Sequence, residues 1–296
     1  MLSWPGRRIL AESTHADVGH FLQPEAHRKA FVLSRATPIL QSPSHLSLKE
    51  GDLVTLSPGP VKDPLERILY CSAPQLPVGS QLGPDWISPC FQKVESFWLP
   101  GTDGTMQMTS LLRCLASFHL SAGEHSYSFW KSGYTLASIT LSDKAHSGLR
   151  SDESGPLIHD LVNSQLSLTL ALRYQLPDET GPLKSLLSRL ALELGVDLII
   201  TTGGTGLTSR DITPEATGAI LEKELPAFEQ AMNSRSLSQT PHAALSRARA
   251  GVLGKGLILN LPGKSDAVKQ ALDAVLPAFR HALDKLNDDP TDCESI

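Results

Sequence analysis

The chain has 296 residues, 41% of them hydrophobic, and a formal net charge of −5, enough material for one large domain or two ordinary ones with a real core. With no block of Lys or Arg, this balance argues against the electrostatic footprint of a nucleic-acid binder, and no run approaches the roughly 20 apolar residues of a membrane span. No apolar signal-peptide core follows Met1–Arg8, so a soluble cytoplasmic protein is expected. Cys71, Cys90, Cys114 and Cys293 are scattered without CxxC spacing, which points to isolated thiols rather than a disulfide framework or zinc site.

All four tryptophans and most prolines precede residue 132, whereas the remainder is rich in Leu and Ala. This break predicts two domains, 1–130 and 131–296. In the first, Lys29–Ser34, Asp52–Leu56 and Arg67–Cys71 are short apolar runs between Pro, Gly and Ser clusters, the pattern of a small β-rich module. A helix is expected over Met106–Leu120, followed by a connector at Ser121–Glu124.

The second half alternates strand and helix signals. Tyr134–Leu141 reads as a strand, Ser154-Gly155-Pro156 as a helix start and Leu168–Tyr174 as a second strand. Leu183, Leu186, Leu187, Leu190 and Leu194 then share one helical face, and Val196–Ile200 is a third strand. Thr213-Pro214 caps another helix, Pro226–Arg235 is helical, Gly256–Leu261 is a fourth strand, and Ser265–Leu286 is a closing amphipathic helix. Such alternation predicts an α/β, three-layer fold: an open, mostly parallel sheet with helices on both faces. Ligands bind such sheets at the carboxyl ends of the strands.

At those ends stand the residues that carry chemistry. The third strand runs into Gly203-Gly204-Thr205-Gly206, where glycines permit positive φ and let backbone N–H groups approach an anion. The loop matches neither the Walker pattern nor GxGxxG, so alone it is equally a tight strand-to-helix turn. Asp211 cannot hold phosphate directly and suggests a metal ion or proton transfer beside it. Asp178 follows the second strand and begins a helix, where simple capping competes with a magnesium role shared with Asp211. Ser142-Asp143 through Gly148 is polar and suits a loop, with His146 a surface residue rather than a base; Ser246-Arg247 suits either a helix surface or an anionic ligand.

These residues bring the chain close to a known family. Over about residues 133–286 it resembles the molybdopterin adenylyltransferases, the MogA/MoaB-type domain also found in gephyrin. The resemblance is carried, in the family's order, by Ile139–Asp143 with Ser147-Gly148, Ser154-Gly155-Pro156, Leu176-Pro177-Asp178-Glu179, Thr202–Gly206 with Arg210–Thr217, Leu245-Ser246-Arg247, and Leu259-Asn260-Leu261-Pro262-Gly263. It implies a trimeric α/β enzyme that transfers AMP from Mg-ATP to the terminal phosphate of molybdopterin and supplies the metal-insertion protein of the same pathway. It also implies that Asp178 and Asp211 are the two essential acidic residues, with nucleotide contacts at Gly203, Gly204, Thr205, Gly206, Asn260, Pro262 and Gly263. Because a phosphate nucleophile is already anionic, magnesium coordination is preferred over proton abstraction for Asp211, with Asp178 coordinating or orienting. Ser142, Asp143, Ser246 and Arg247 match the region that receives molybdopterin. The rival expectation is a non-catalytic molybdopterin-binding or scaffold module, disfavoured because such a module needs neither carboxylate.

The resemblance leaves residues 1–130 unexplained. A thin similarity to the small β-domains called MOSC runs around Leu48–Leu56 and Leu76–Gly79. Those domains generally depend on a particular cysteine, which nothing in this sequence singles out, so a structural or oligomerisation module is an equal reading.

Overall fold

The computed structural model describes residues 31–32, 39–58, 68–71, 76–84, 89–103, 105–143 and 151–287. Lys144–Gly148, with His146, and Cys293 lie outside them. The chain divides into two compact units, one formed by residues 26–135 with 193–195, the other chiefly by 136–192 and 196–296.

The regular elements of residues 26–131 are all strands among the described residues. They are β1 (Phe31–Val32), β2 (Ile39–Ser42), β3 (Leu46–Leu48), β4 (Leu53–Ser57), β5 (Ile68–Tyr70), β6 (Gln81–Gly83), β7 (Phe91–Pro100), β8 (Met106–Cys114), β9 (Phe118–Leu120), β10 (Gly123–Ser126) and β11 (Ser128–Lys131). Nine of these form one sheet in the order β1-β11-β6-β7-β8-β4-β5-β2-β10, and β3 pairs with β9. Leu40, Val54, Leu69, Leu82, Phe91, Leu112 and Phe129 fill its core, and Cys71, Cys90 and Cys114 are thiols rather than disulfide halves.

The helix expected over Met106–Leu120 is not there: β8 and β9 occupy that stretch. The cause is a hairpin. The N–H and hydroxyl of Thr105 both donate to the Asp103 carboxylate, and the Gly101 N–H donates to the Thr105 carbonyl, turning the chain back on itself. β8 then pairs antiparallel with β7 from Pro100↔Met106 to Phe91↔Cys114. A partner strand offering a long ladder outweighs the helix propensity of Met and Leu, which is high in rank but amounts to only tenths of a kcal/mol per residue.

The second unit follows the alternation read from the sequence. β12 (Tyr134–Leu141), β14 (Leu198–Thr202) and β17 (Gly256–Leu261) are parallel neighbours. Every residue of the three is buried, as a sheet covered on both faces requires, which is why they read as apolar runs without alternation. β13 (Leu168–Leu176) flanks β12. The sequence reading missed the other edge, where β15 (Lys223–Glu224) and β16 (Ala250–Leu253) add antiparallel strands. The β16–β17 hairpin turns at Gly254, with φ of 57°, and Lys255. Two- and four-residue strands are too short to show a period.

The helices are α1 (Ser154–Asn163), α2 (Thr180–Ser188), α3 (Thr213–Gly218), α4 (Pro226–Leu237) and α5 (Ser265–Leu286). α1 and α4 pack on α5, while α2 packs on α3, giving the helical layers of the sandwich. α5 buries Val268, Leu272, Val275, Leu276, Phe279 and Leu283, one stripe at helical spacing. Phe279 is unexposed and stacks on Phe228 with centroids 6.3 Å apart. Phe279→Ala is expected to cost about 3–5 kcal/mol, measured as a lowered urea midpoint for this unit.

Candidate active site at the carboxyl edge of the parallel sheet

The register fixes where the loops fall. Thr140 lies beside Thr202 and Thr202 beside Leu261, so β12, β14 and β17 end together. The Ser142 N–H donates to the Leu176 carbonyl at 3.1 Å, which brings the end of β13 to the same edge. Ser142-Asp143, Pro177-Asp178, Gly203–Gly206 and Pro262-Gly263 are therefore gathered on one rim.

The glycine loop is dictated twice over, by backbone angle and by space. Gly203 and Gly204 have φ of 97° and 64°, where a side chain is strained. A Cβ on Gly203 would sit 2.4 Å from the Leu141 carbonyl oxygen, and one on Gly204 2.4 Å from Thr213 Oγ1. The loop is then pinned from below. The Thr213 hydroxyl donates to the Gly203 carbonyl at 2.9 Å, the Thr213 N–H to the Gly204 carbonyl, and the Thr202 hydroxyl to the Pro262 carbonyl at 2.7 Å. Thr205 is buried, and its carbonyl accepts the Arg247 N–H.

Both carboxylates border this loop. Asp211 Oδ2 accepts the Thr208 N–H and hydroxyl, each at 2.7 Å, and would lie 2.9 Å from a Cβ on Gly206. Burial pushes the Asp211 carboxyl up, but the Thr208 donors, the Gly206 N–H and the Arg247 charge outweigh it and hold it below the usual range. Asp178 Oδ1 would lie 3.7 Å from a Cβ on Gly204. Its carboxylate is not a helix cap: α2 starts after Glu179 with no side-chain cap bond, and Asp178 Oδ2 instead accepts the Asp143 N–H at 3.3 Å. The Asp178 N–H donates back to Asp143 Oδ1 at 3.1 Å. Burial, followed by the charges of Asp143 and Asp211, raises the Asp178 carboxyl above the usual range despite the opposing Asp143 N–H and Arg210.

The remaining site residues divide between the rim and its supports. Asn260 is buried two residues below the rim. Its amide donates to Thr201 Oγ1 at 2.9 Å and Thr217 Oγ1 at 3.0 Å and accepts the Arg249 N–H, so it ties β14, α3 and the chain before β16 together. Arg247 braces the loop: Nε donates to the Gly206 carbonyl and Nη2 to the Asp211 carbonyl, each at 2.8 Å, while Nη1 pairs with Glu215. Ser246 reaches the loop through its neighbour Arg247. Sequence reasoning assigned no individual role to Arg210 or Thr208 and took Thr213 for a helix cap, but α3 begins at Thr213 after Ile212 with no side-chain cap bond, and the Thr213 hydroxyl is drawn to the Gly203 carbonyl instead. The signal for the two threonines was present in hydroxyl residues flanking a glycine loop and a helix start. The hydroxyl of Thr140, buried at the end of β12, has no hydrogen-bond partner among the described residues.

The opposite shifts of the two carboxyls give opposite stability effects. Asp178, raised in the folded state, binds its proton more tightly there, so stability falls as pH climbs from the ordinary 3.8 through its folded value. Asp211, lowered in the folded state, contributes stability above 3.8 that is lost on acidification. At pH 7 Asp178→Asn is expected to raise the melting temperature by about 1–2 °C and Asp211→Asn to lower it comparably, sizes proper to half-exposed charges. Thermal scans at pH 7 and pH 3 check the sign, since both differences shrink in acid.

Residues 137–281 match the model of the family described as probable molybdopterin binding domain. The chain is similar to the molybdopterin adenylyltransferase of Helicobacter pylori, 40% identical over 147 residues that cover 49% of this chain and 84% of that protein. It is similar as well to the molybdenum cofactor synthesis protein cinnamon of Drosophila melanogaster, 37% identical over 52% of this chain and 26% of that protein. The solved molybdopterin biosynthesis Mog protein of Mycobacterium ulcerans is 36% identical, with 52% of this chain and 99% of that chain covered and a TM-score of 0.49. With two fifths of its aligned residues shared across most of a complete relative, this chain belongs to the MogA/MoaB-type family of molybdenum cofactor biosynthesis proteins.

Proposed function

We propose that the protein is a molybdopterin adenylyltransferase, moving AMP from Mg-ATP to the terminal phosphate of molybdopterin. The observation that carries this reading is the pair of carboxylates, Asp178 and Asp211, set along one glycine loop at the carboxyl edge of a parallel sheet. In this reading Gly203, Gly204, Thr205 and Gly206 cradle nucleotide phosphates with backbone N–H groups, and Pro262 and Gly263 flank the nucleotide. Asn260, its amide spent within the protein, positions that strand end rather than touching the ligand. Ser142, Asp143, Ser246 and Arg247 lie on the side given to molybdopterin, with Arg247 also bracing the loop.

In the reaction an oxygen of the molybdopterin phosphate attacks the α-phosphorus of ATP. The bond from that phosphorus to the bridging oxygen breaks, and pyrophosphate leaves with the electron pair. The nucleophile is already anionic, so no general base is needed, and catalysis is positioning plus charge neutralisation. Magnesium would be held by Asp211 and Asp178 and would supply that neutralisation. The donor set fits: Asp178 and Asp211 border the same glycine loop, and magnesium sites use one or two carboxylates completed by substrate phosphates. Asp211, held anionic by Thr208, is ready to ligate; Asp178, raised by burial and like charge, gains most from a cation nearby. We further propose a cytoplasmic homotrimer that passes its product to the metal-insertion protein of the pathway. Among the described residues no helix is long and apolar enough to cross a membrane.

The test is incubation with molybdopterin and Mg-ATP, reading adenylylated molybdopterin and pyrophosphate. Asp211→Asn is expected to lower kcat by about 10²- to 10⁴-fold while molybdopterin affinity persists, the scale of a lost metal-centred charge interaction. Molybdopterin binding with no ATP consumed by the unaltered protein would favour the non-catalytic module instead. Residues 133–296 alone are expected to fold and retain activity, since the family match begins at 137 and Phe129 packs in the core of the first unit. A soluble but inactive fragment would assign catalytic or substrate groups to the first unit.

A further inference from the structure

Two arginines stand at the carboxyl rim, in different states. Arg247 is spent, with Nε, Nη1 and Nη2 all committed to protein oxygens. Among the described residues Arg210 hydrogen-bonds protein through Nη2, which donates to both oxygens of Asp143 at 2.7 and 2.5 Å. Its side chain is 55% exposed and that of Asp143 51% exposed. Asp143, Asp178 and Glu179 all act on its charge. A guanidinium presents five N–H donors in a planar fork suited to phosphoryl oxygens, and among the described residues Arg210 uses one nitrogen, on a half-exposed carboxylate. The rim it serves carries Asp143, Asp178 and Asp211, so a cation beside them lowers the repulsion an incoming phosphate meets.

We propose that Arg210 is the movable phosphate-binding cation of this site, held on Asp143 until incoming phosphoryl oxygens displace the carboxylate. This rests on the adenylyl-transfer reading for the identity of the substrate; the recognised chemistry, a phosphoryl dianion, belongs equally to the nucleotide and to the acceptor's monoester. Asp143 then acts as a competitor for the guanidinium, so the two members of the pair have opposite effects on anion affinity. Lys264, exposed beside Gly263, is the comparison cation.

The experiment is calorimetric titration of the full chain with pyrophosphate, without magnesium, a readout that needs no turnover. Arg210→Ala is expected to weaken binding at least 10-fold with an unchanged melting temperature, Arg210→Lys to recover part of it, and Asp143→Asn to tighten it several-fold. Lys264→Ala should have the smaller effect. In the transfer assay, a raised KM for ATP assigns the fork to the nucleotide, and a raised KM for molybdopterin to the acceptor. Pyrophosphate affinity of Arg210→Ala equal to that of the unaltered protein overturns the proposal, as does failure of the unaltered protein to bind, or Asp143→Asn weakening binding as much as Arg210→Ala. If these affinities behave as expected but no adenylylated product forms, the phosphate role stands and the reaction assignment fails.

Discussion

The site depends on one close approach. The backbone of Gly203 passes so near the carbonyl of Leu141 that no side chain fits between them, and this is possible only because β12 and β14 end in register. That contact places the loop after β14 over the end of β12, next to Asp143, and opposite the end of β17, whose Gly263 approaches from the other side. Sheet pairing thus converts four distant sequence segments into one rim. The hydroxyls of Thr202 and Thr213 supply the bonds that keep the loop from collapsing into the strand ends.

Electrostatics then differentiate two chemically identical side chains. Asp211 sits among donors and is held anionic, whereas Asp178 faces burial and two like charges. Pairs of titratable groups pushed in opposite directions are characteristic of sites that handle charge. Arg247 neutralises the loop from beneath by binding its carbonyl oxygens, so it fixes shape as much as potential. Arg210 lies on the solvent side, where a cation can still change partners.

The first unit is a β structure whose apolar core closes on itself through Phe91, Leu112 and Phe129. Its long β7–β8 hairpin was the place where local reading failed. Met and Leu at helix-compatible spacing sit on a stretch whose conformation is set by the ladder across the hairpin, and the Asp103–Thr105 turn was the overlooked signal. The antiparallel edge of the second unit was missed for a related reason, since β15 and β16 exist by pairing rather than by pattern.

By itself the sequence determined the alternation of strands and helices in the second half, the bounds of β12, β17 and α5, and the glycine loop with its two carboxylates. These are local properties: apolar runs, a helical stripe, and a residue type with no side chain where a turn needs none. The tertiary structure alone decided that Asp178 exchanges hydrogen bonds with Asp143 instead of capping α2, and that Asn260 is a buried tie. It alone decided too that Arg247 braces the loop while Arg210 is left exposed. Each of those outcomes turns on which groups meet across the ends of strands far apart in the chain, and hydrogen-bond partners of that kind are set by register and packing, which no short stretch of residues encodes.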